Sequence, residues 1–286
     1  MNELIHYCGH IISADESGRF PKSKEQAVEQ AISDTVANRK ITACFGSLAS
    51  GADILFAEAM LNNSASLHVV LPFSEQIFLE KSVLASGSNW QLRFEYLLQN
   101  AQTTTQLYNI EVIDDNVAYA LCTEIAMGLC LLESSQSERV KASQLTLWDG
   151  QRTEAIAGTY PDMQRWSCIG LESKFILSKS PTAASVFFES SFASNIPLDI
   201  CFYLQGELQQ SIDVNQIDKL FSQISASTKD KHCFIDLNQQ HFGSCESQKS
   251  ENISHRALAL IAYRCCSNSK HQYLKKLTSL CEVKTS

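Results

Sequence analysis

Short apolar runs that end in glycine-containing loops, each followed by a helical pattern, are the feature that most constrains this fold. Residues 4–8, 41–45 and 67–71 are short, mostly apolar segments that predict strands, and the run over residues 41–45 is of the kind found in buried parallel sheets. Helical patterns follow the first two of them, at residues 22–37 and 52–61. Strands that alternate with helices predict an α/β fold, here a Rossmann-like three-layer parallel sheet covered on both faces.

The alternating pattern continues to Trp166, after which serine and asparagine become more frequent and helical periodicity weakens. The chain therefore predicts two domains, a nucleotide-binding domain over residues 1–166 and a second, smaller α/β domain over residues 167–286. The remaining elements expected in the first domain are helices at residues 75–85, 90–99 and 116–134, a strand at 144–148, and a helix that begins within 158–166. Those expected in the second are strands at residues 174–177, 185–188, 198–204 and 232–237, and helices at 214–225, 253–265 and 272–281.

Composition narrows the class of protein. The formal net charge of −8 disfavours general binding to phosphate backbones, so nucleic acid is not an expected partner. The 11 cysteines are scattered, the first residues lack the apolar core of a signal peptide, and the apolar stretch over residues 117–132 is too short to span a bilayer. These features predict a cytoplasmic protein with no membrane partner.

Three loops have the chemistry of a phosphate-binding edge: residues 9–10, 46–53 and 149–159. Ligands of open parallel sheets bind beyond the carboxyl ends of the strands, where small residues and helix N-termini offer free amides. We expect the backbone near Gly9, Gly51 and Gly158 to meet in one anionic pocket, although these glycines are also compatible with tight turns alone. The expected ligand-binding residues are Gly9, His10, Arg19, Gly46, Ser47, Gly51, Asp53, Arg93, Asp149, Gly150, Gly158 and Thr159.

The segment FGSLASGAD over residues 45–53, the pair Glu58-Ala59 and the strand LHVVLP resemble the SLOG superfamily, which includes DNA-processing protein A and the Lonely Guy phosphoribohydrolases. The order G-H, R-F-P, V-V-L-P-F, W-x-x-R-F and W-D-G is more similar to bacterial SLOG-type domains that precede nucleotide cyclase or repeat domains. The resemblance covers residues 4–166. It implies a Rossmann-like domain that binds a nucleotide-derived small molecule in a bacterial signalling or defence pathway.

The late loop departs from the hydrolases of that superfamily. Lonely Guy enzymes have a P-G-G-x-G-T-x-x-E signature with a catalytic glutamate, whereas residues 156–162 read IAGTYPD, with one glycine and no clear glutamate position. Hydrolysis is therefore disfavoured, while a phosphate-binding role for Gly158 is not. The paired aspartates of a cyclase are not evident over residues 184–236, so cyclase activity is not predicted.

Several single residues keep two interpretations. Asp53 suits either a ribose hydroxyl or the dipole of its own helix, and Glu58 would be the general base if the protein were a hydrolase. Arg19 and Arg93 would either clamp a phosphate or lie on the surface. Glu124 lies in an apolar helix, so it faces either the ligand or a basic side chain.

A metal site is a weak alternative, because His6, Cys8 and His10 alternate along one strand without a visible fourth ligand. We predict no metal and no cofactor other than the nucleotide-type ligand.

The leading hypothesis is a sensor whose ligand alters the packing of the second domain, a homo-oligomer or a partner effector protein. The alternative is an N-glycosidase or phosphoribohydrolase acting on nucleoside phosphates or NAD-type substrates.

Overall fold

The structure is a computed structural model that describes residues 1–106, 115–135 and 137–189, and the backbone of residues 233–236 and 241–244. One sheet contains seven strands: β1 (Asn2–Gly9), β2 (Ile41–Gly46), β3 (Ser66–Leu71), β4 (Thr103–Gln106), β5 (Val140–Trp148), β6 (Ser173–Leu177) and β7 (Ser185–Phe187). Their order is β4-β3-β2-β1-β5-β6-β7, and all neighbours pair in parallel except β6 and β7. The predicted α/β fold with a mostly parallel sheet is confirmed.

Helices flank this sheet: α1 (Glu25–Val36), α2 (Ala52–Asn62), α3 (Glu75–Ser82), α4 (Ser88–Gln99), α5 (Asp115–Ser135) and α6 (Thr159–Cys168). A 3-10 turn over Lys22–Lys24 precedes α1, so the helix predicted at residues 22–37 is divided into two pieces. Helix α1 packs on α2, and α5 packs on α6.

The central strand β1 determines where the functional edge of the sheet lies. It pairs with β2 on one side and with β5 on the other, and its residues Leu4, Ile5 and Tyr7 are fully buried. Strands β2 to β4 extend the sheet in one direction, whereas β5 to β7 extend it in the other. The carboxyl ends of β1 and β5 therefore flank a topological switch point, where sheets of this kind bind ligands.

Helix α5 is the predicted central helix. Within the described part of the chain it is the one helix long and apolar enough to cross a membrane, but 72% of its most apolar window is buried inside the domain. It packs against β1, β2, β3 and β5. Its apolar character is thus explained by burial in the core, as the sequence predicts.

Strands β6 and β7 correspond to the segments predicted at residues 174–177 and 185–188, but they extend the first sheet. The predicted domain boundary at residue 166 therefore falls inside the region that this sheet occupies. An antiparallel pair, β8 (Cys233–Asp236) and β9 (His241–Ser244), includes the strand predicted at residues 232–237. The strand predicted at 198–204 and the helices predicted at 214–225, 253–265 and 272–281 lie outside the described residues.

Candidate functional site

A cavity of about 460 Å³ lies at the carboxyl ends of β1 and β2, bounded by the start of α6 and by one side of α5. This volume falls within the range of small-molecule sites in proteins. Its lining includes eight of the predicted ligand-binding residues: Gly9, His10, Arg19, Gly46, Ser47, Asp53, Gly158 and Thr159. The structure therefore brings most of the predicted ligand-binding residues together around this cavity. We call this cavity the cleft.

Both ring nitrogens of His10 have a polar neighbour at the side of the cleft, but only Nδ1 makes a hydrogen bond of good geometry. Nε2 lies 3.1 Å from Asp149 Oδ1, and Nδ1 lies 3.2 Å from Thr159 Oγ1. Burial lowers the pKa of His10 to about 4, and the Asp149 carboxylate offsets part of that effect, so the ring is neutral at pH 7. A neutral ring with its proton on Nε2, facing Asp149, leaves Nδ1 to accept from the Thr159 hydroxyl. Asp149 does not line the cleft; it orients His10.

Arg19 supplies a cation at the mouth of the cleft. Its side chain is 52% exposed, and its Nε lies 3.8 Å from the second oxygen of Asp149. The backbone oxygen of Arg19 accepts a hydrogen bond from Ser178 Oγ in the segment that follows β6. This contact holds the loop after β1 against the other half of the sheet.

The N-terminus of α6 opens into the same space. Gly158 is the residue that precedes the helix, with φ 115° and ψ 175°, and no atom lies within 4 Å of the position that a Cβ would occupy there. The first amides of a helix have no intrahelical partner and carry the positive end of its dipole. Gly158 and Thr159 therefore present free amide chemistry to the cleft.

The loop over residues 46–53 uses its amides differently. The Ala52 amide donates to the backbone oxygen of His10 at 3.1 Å, and the Ser50 amide donates to that of Ser82 at 2.9 Å. Gly51 has φ 106°, and a Cβ on it would lie 2.5 Å from the Ile12 nitrogen. Gly51 thus allows two backbone segments to pack closely. Gly51 does not line the cleft, so its role is to make a tight turn and not to bind the ligand.

Two buried carboxyl groups, Asp53 from α2 and Asp162 from α6, line the cleft. The pKa of Asp53 is raised to about 7, mainly by burial and in smaller part by the nearby charge of Asp162, against hydrogen bonds from the Ala49 and Gly9 backbone that lower it. Burial likewise raises the pKa of Asp162 to about 7, while Arg165 and the Thr123 hydroxyl favour its charged form. Carboxyl groups with a pKa close to 7 can both release and accept protons at neutral pH.

Four polar atoms of the lining have no hydrogen-bond partner among the described residues: the Tyr7 hydroxyl, His10 Nε2, Ser47 Oγ and Asp53 Oδ1. Tyr7 is fully buried and Asp53 is 7% exposed. Unsatisfied buried polar groups are costly, so a group of them around one cavity points to a site that hydrogen-bonds a ligand or ordered water.

The sequence analysis missed Asp162, although a signal for it was present. Counted from Gly158-Thr159, the segment reads G-T-x-x-D, and Asp162 occupies the place of the glutamate in the G-T-x-x-E part of the Lonely Guy signature. Aspartate, whose side chain is one methylene group shorter than that of glutamate, hides the match when the loop is compared as a whole.

The buried cation of α6 settles the interpretation of Glu124. Arg165 Nε lies 3.2 Å from Glu124 Oε1, and Arg165 Nη1 lies 3.4 Å from Asp162 Oδ1. Glu124 is therefore paired with a basic side chain, and this pair ties α5 to α6 directly behind the cleft.

Glu58 and Arg93 lie away from the cleft, on a separate groove formed by α1, α2 and α4. Arg93 Nε donates to Glu58 at 2.8 Å, Arg93 Nη1 donates to Glu25 at 3.0 Å, and the guanidinium covers the ring of Trp90 at 4.2 Å. These contacts occupy the side chains that were expected to clamp a phosphate and to act as general base. Gly150, with φ 83°, follows Asp149 and does not line the cleft either.

His6 is a packed core histidine with one face toward the cleft. Its ring stacks on Trp166 with centroids 5.7 Å apart, and Gln144 Nε2 lies 3.0 Å from its Nδ1. Burial lowers the pKa of His6 to about 3. Within the described ranges, no group of three or more His, Cys, Asp or Glu side chains is placed to hold a metal ion.

No protein-family model and no curated protein matches the chain. The resemblance to the SLOG superfamily therefore rests on its motifs, of which G-H, R-F-P and the segment over residues 45–53 contribute residues to the lining of the cleft.

Proposed function

We propose that this protein binds a nucleotide-derived small molecule in the cleft and acts as a sensor of that ligand. The observation that supports this most is the combination, in one cavity at the switch point of the sheet, of an open helix N-terminus with buried hydrogen-bonding groups that lack partners. The first suits an anionic group, and the second suits the polar edge of a sugar or a base.

The anionic end of the ligand belongs at the mouth of the cleft. Gly158 and the first amides of α6 lie there, together with the guanidinium of Arg19 and the hydroxyl of Thr159. Backbone amides and a helix dipole favour a phosphate without needing a further lysine or arginine. The amides of Ala49, Ser50 and Ala52 already donate within the protein, which argues against a second phosphate site at α2.

A signalling role has a structural route. Helix α6 contacts the ligand site at its first turn, is tied to α5 by Arg165, and leads directly into β6 and β7. A shift of α6 on ligand binding would therefore be transmitted along the chain toward the residues after 189. This route is consistent with a ligand that changes the packing of the C-terminal part, of a second copy or of an effector protein.

Titration calorimetry with AMP, ADP-ribose, NAD and cyclic AMP tests the binding proposal. We expect at least one of them to bind, and Gly158→Ala to weaken that binding about tenfold or more by placing a methyl group at the phosphate end. Gly87→Ala is a matched control, because Gly87 precedes α4 with φ 110° and ψ 162°, has no atom within 4 Å of a Cβ position, and lies outside the cleft. Absence of binding by all four ligands, or equal losses in both variants, would contradict the proposal.

A second function is favoured by one observation, the pKa of about 7 of Asp162 inside the cleft. We propose, as the alternative, an N-glycosidase in which Asp162 protonates the leaving base while the glycosidic C–N bond breaks. Water then bonds to the anomeric carbon and loses its proton to a second carboxylate, for which Asp53 is available.

Release of free base from nucleoside monophosphates and NAD, followed by chromatography, distinguishes the two functions. An enzyme should lose release in Asp162→Asn and keep it in Glu58→Gln, because Glu58 is paired with Arg93 outside the cleft. A pure sensor should release no base in any variant while still binding the nucleotide.

A further inference from the structure

The inner wall of the cleft is rich in hydrogen-bond acceptors. Asp53 Oδ1 has no partner among the described residues, and Asp162 lines the same wall from α6. The exposed cation Arg19 lies at the opposite end, at the mouth.

This distribution gives the cleft a polarity. Arg19 is 52% exposed, whereas Asp53 and Asp162 are 7% and 6% exposed, so positive charge lies outside and negative charge lies inside. A phosphate at the inner wall would meet two carboxyl groups and would be repelled. A ligand must therefore enter with its anionic group outermost and its donor groups innermost.

We infer that Asp53 and Asp162 form a specificity subsite for a ligand head group that bears paired hydrogen-bond donors, with the phosphate of the same ligand at Arg19 and the start of α6. This inference rests on the proposed function and adds the orientation and chemical class of the ligand. Two parts of a nucleotide have such donors: the exocyclic amine of a base and the vicinal hydroxyls of ribose.

The groups that face the two carboxyls do not change charge between pH 6 and pH 8. Burial raises the pKa of Cys8, Cys122 and Tyr7 well above neutral, so all three stay uncharged. His10 also stays uncharged in this range, and Arg165 and Glu124 face Asp162 as a buried ion pair. A change of affinity for a donor group over this interval would thus report on Asp53 and Asp162.

Binding of three nucleotides tests the inference: AMP, purine riboside 5′-monophosphate, which lacks the amine, and 2′-deoxyadenosine 5′-monophosphate, which lacks one ribose hydroxyl. We expect AMP to bind at least about tenfold more tightly than one of the analogues, because the missing donor leaves a buried carboxylate unpaired. If the purine analogue binds more weakly than AMP, the subsite recognises the amine of the base. If the deoxy analogue binds more weakly, the subsite recognises the hydroxyls of the sugar.

Asp53→Asn should reduce that discrimination, because it removes the carboxylate charge and keeps one acceptor oxygen, whereas Glu58→Gln, outside the cleft, should leave it unchanged. In the unmodified protein, the ratio of the affinity for AMP to that for the weaker analogue should increase about tenfold from pH 6 to pH 8 as the carboxyls ionise. Titration of the phosphate does not affect this ratio, because all three ligands carry a phosphate. Equal affinities, or a ratio that Asp53→Asn does not alter, would overturn the inference while leaving nucleotide binding intact. Failure of all three to bind, together with ADP-ribose, NAD and cyclic AMP, would overturn the proposed function itself.

Discussion

His10 Nε2 lies 3.1 Å from Asp149 Oδ1, a contact that joins the loop after β1 to the loop after β5. Because the other ring nitrogen faces Thr159, one imidazole links both halves of the sheet to the start of α6. The buried carboxylate of Asp149 favours a proton on Nε2, and a ring in that form accepts from the Thr159 hydroxyl at Nδ1.

The first prediction concerns this histidine. His10 should remain a neutral Nε2–H tautomer from pH 5 to pH 8, with a pKa of about 4, as read by ¹⁵N-detected NMR of the imidazole. Asp149→Asn should lower that pKa further, because it removes the charge that favours imidazolium, and should weaken ligand binding about tenfold. Titration of His10 near its ordinary value of 6.5 in the unmodified protein would contradict the geometry described.

The second prediction concerns Asp53 and pH. Its folded-state pKa of about 7 lies above the unfolded value, so the folded state keeps a proton that the unfolded chain loses as pH rises from 4 to 7. The contribution of Asp53 to stability is present below pH 4 and is lost across that window. Between pH 4 and pH 7, the free energy of unfolding of Asp53→Asn should therefore rise by on the order of 2 kcal/mol relative to that of the unmodified protein.

Urea denaturation at pH 4, 5.5 and 7 measures this difference, with Asp34→Asn, at an exposed position of α1, as the control. If the free energies of unfolding of Asp53→Asn and the unmodified protein differ by the same amount at all three pH values, Asp53 is not held in a desolvated environment.

The third prediction separates packing from binding among the glycines. Gly51→Ala should destabilise the fold by at least about 2 kcal/mol more than Gly87→Ala, because both have positive φ but only the former drives a Cβ into backbone, 2.5 Å from the Ile12 nitrogen. Thermal unfolding of the two variants tests this. Similar melting temperatures would mean that the loop over residues 46–53 is not packed on residues 10–12.

The fourth prediction concerns the ion pair behind the cleft. Arg165→Met should lower the free energy of unfolding by about 3–5 kcal/mol, because it leaves Glu124 charged and fully buried without its cation. The double variant Glu124→Leu with Arg165→Met should recover most of that loss. A cost below about 1 kcal/mol for the single variant would indicate that water reaches Glu124.

Much of the fold follows from sequence because β1, β2, β3 and β5 are buried strands whose apolar runs have no other good explanation. The polar strand β4, Thr103–Gln106, escaped prediction because it lies at the sheet edge, is partly exposed and has only four residues. The sheet continues past Trp166 into β6 and β7. These two strands are less buried, and their more polar composition made the chain after Trp166 look like a new domain.

The site was only partly predictable, because sequence shows which loops meet but not which side chains pair. Glu58 and Arg93 have the right chemistry for a nucleotide, yet the contact of α2 with α4 places them opposite each other. Asp149 lies in one of the three predicted loops, but its side chain contacts His10 and does not line the cleft. Asp162 has a sequence signal, the G-T-x-x-D order, but the packing of α6 on α5 is what places it in the cleft.

Hydrogen exchange with and without a saturating nucleotide, chosen from those that bind by calorimetry, tests the central claim most directly. We predict slower exchange confined to residues 9–13 and 158–162, around the mouth of the cleft, and no change across the α1, α2 and α4 groove that holds Glu58 and Arg93. Protection of that groove in place of the cleft would contradict the account, as would undiminished protection in Gly158→Ala at a nucleotide concentration close to the Kd of the unmodified protein.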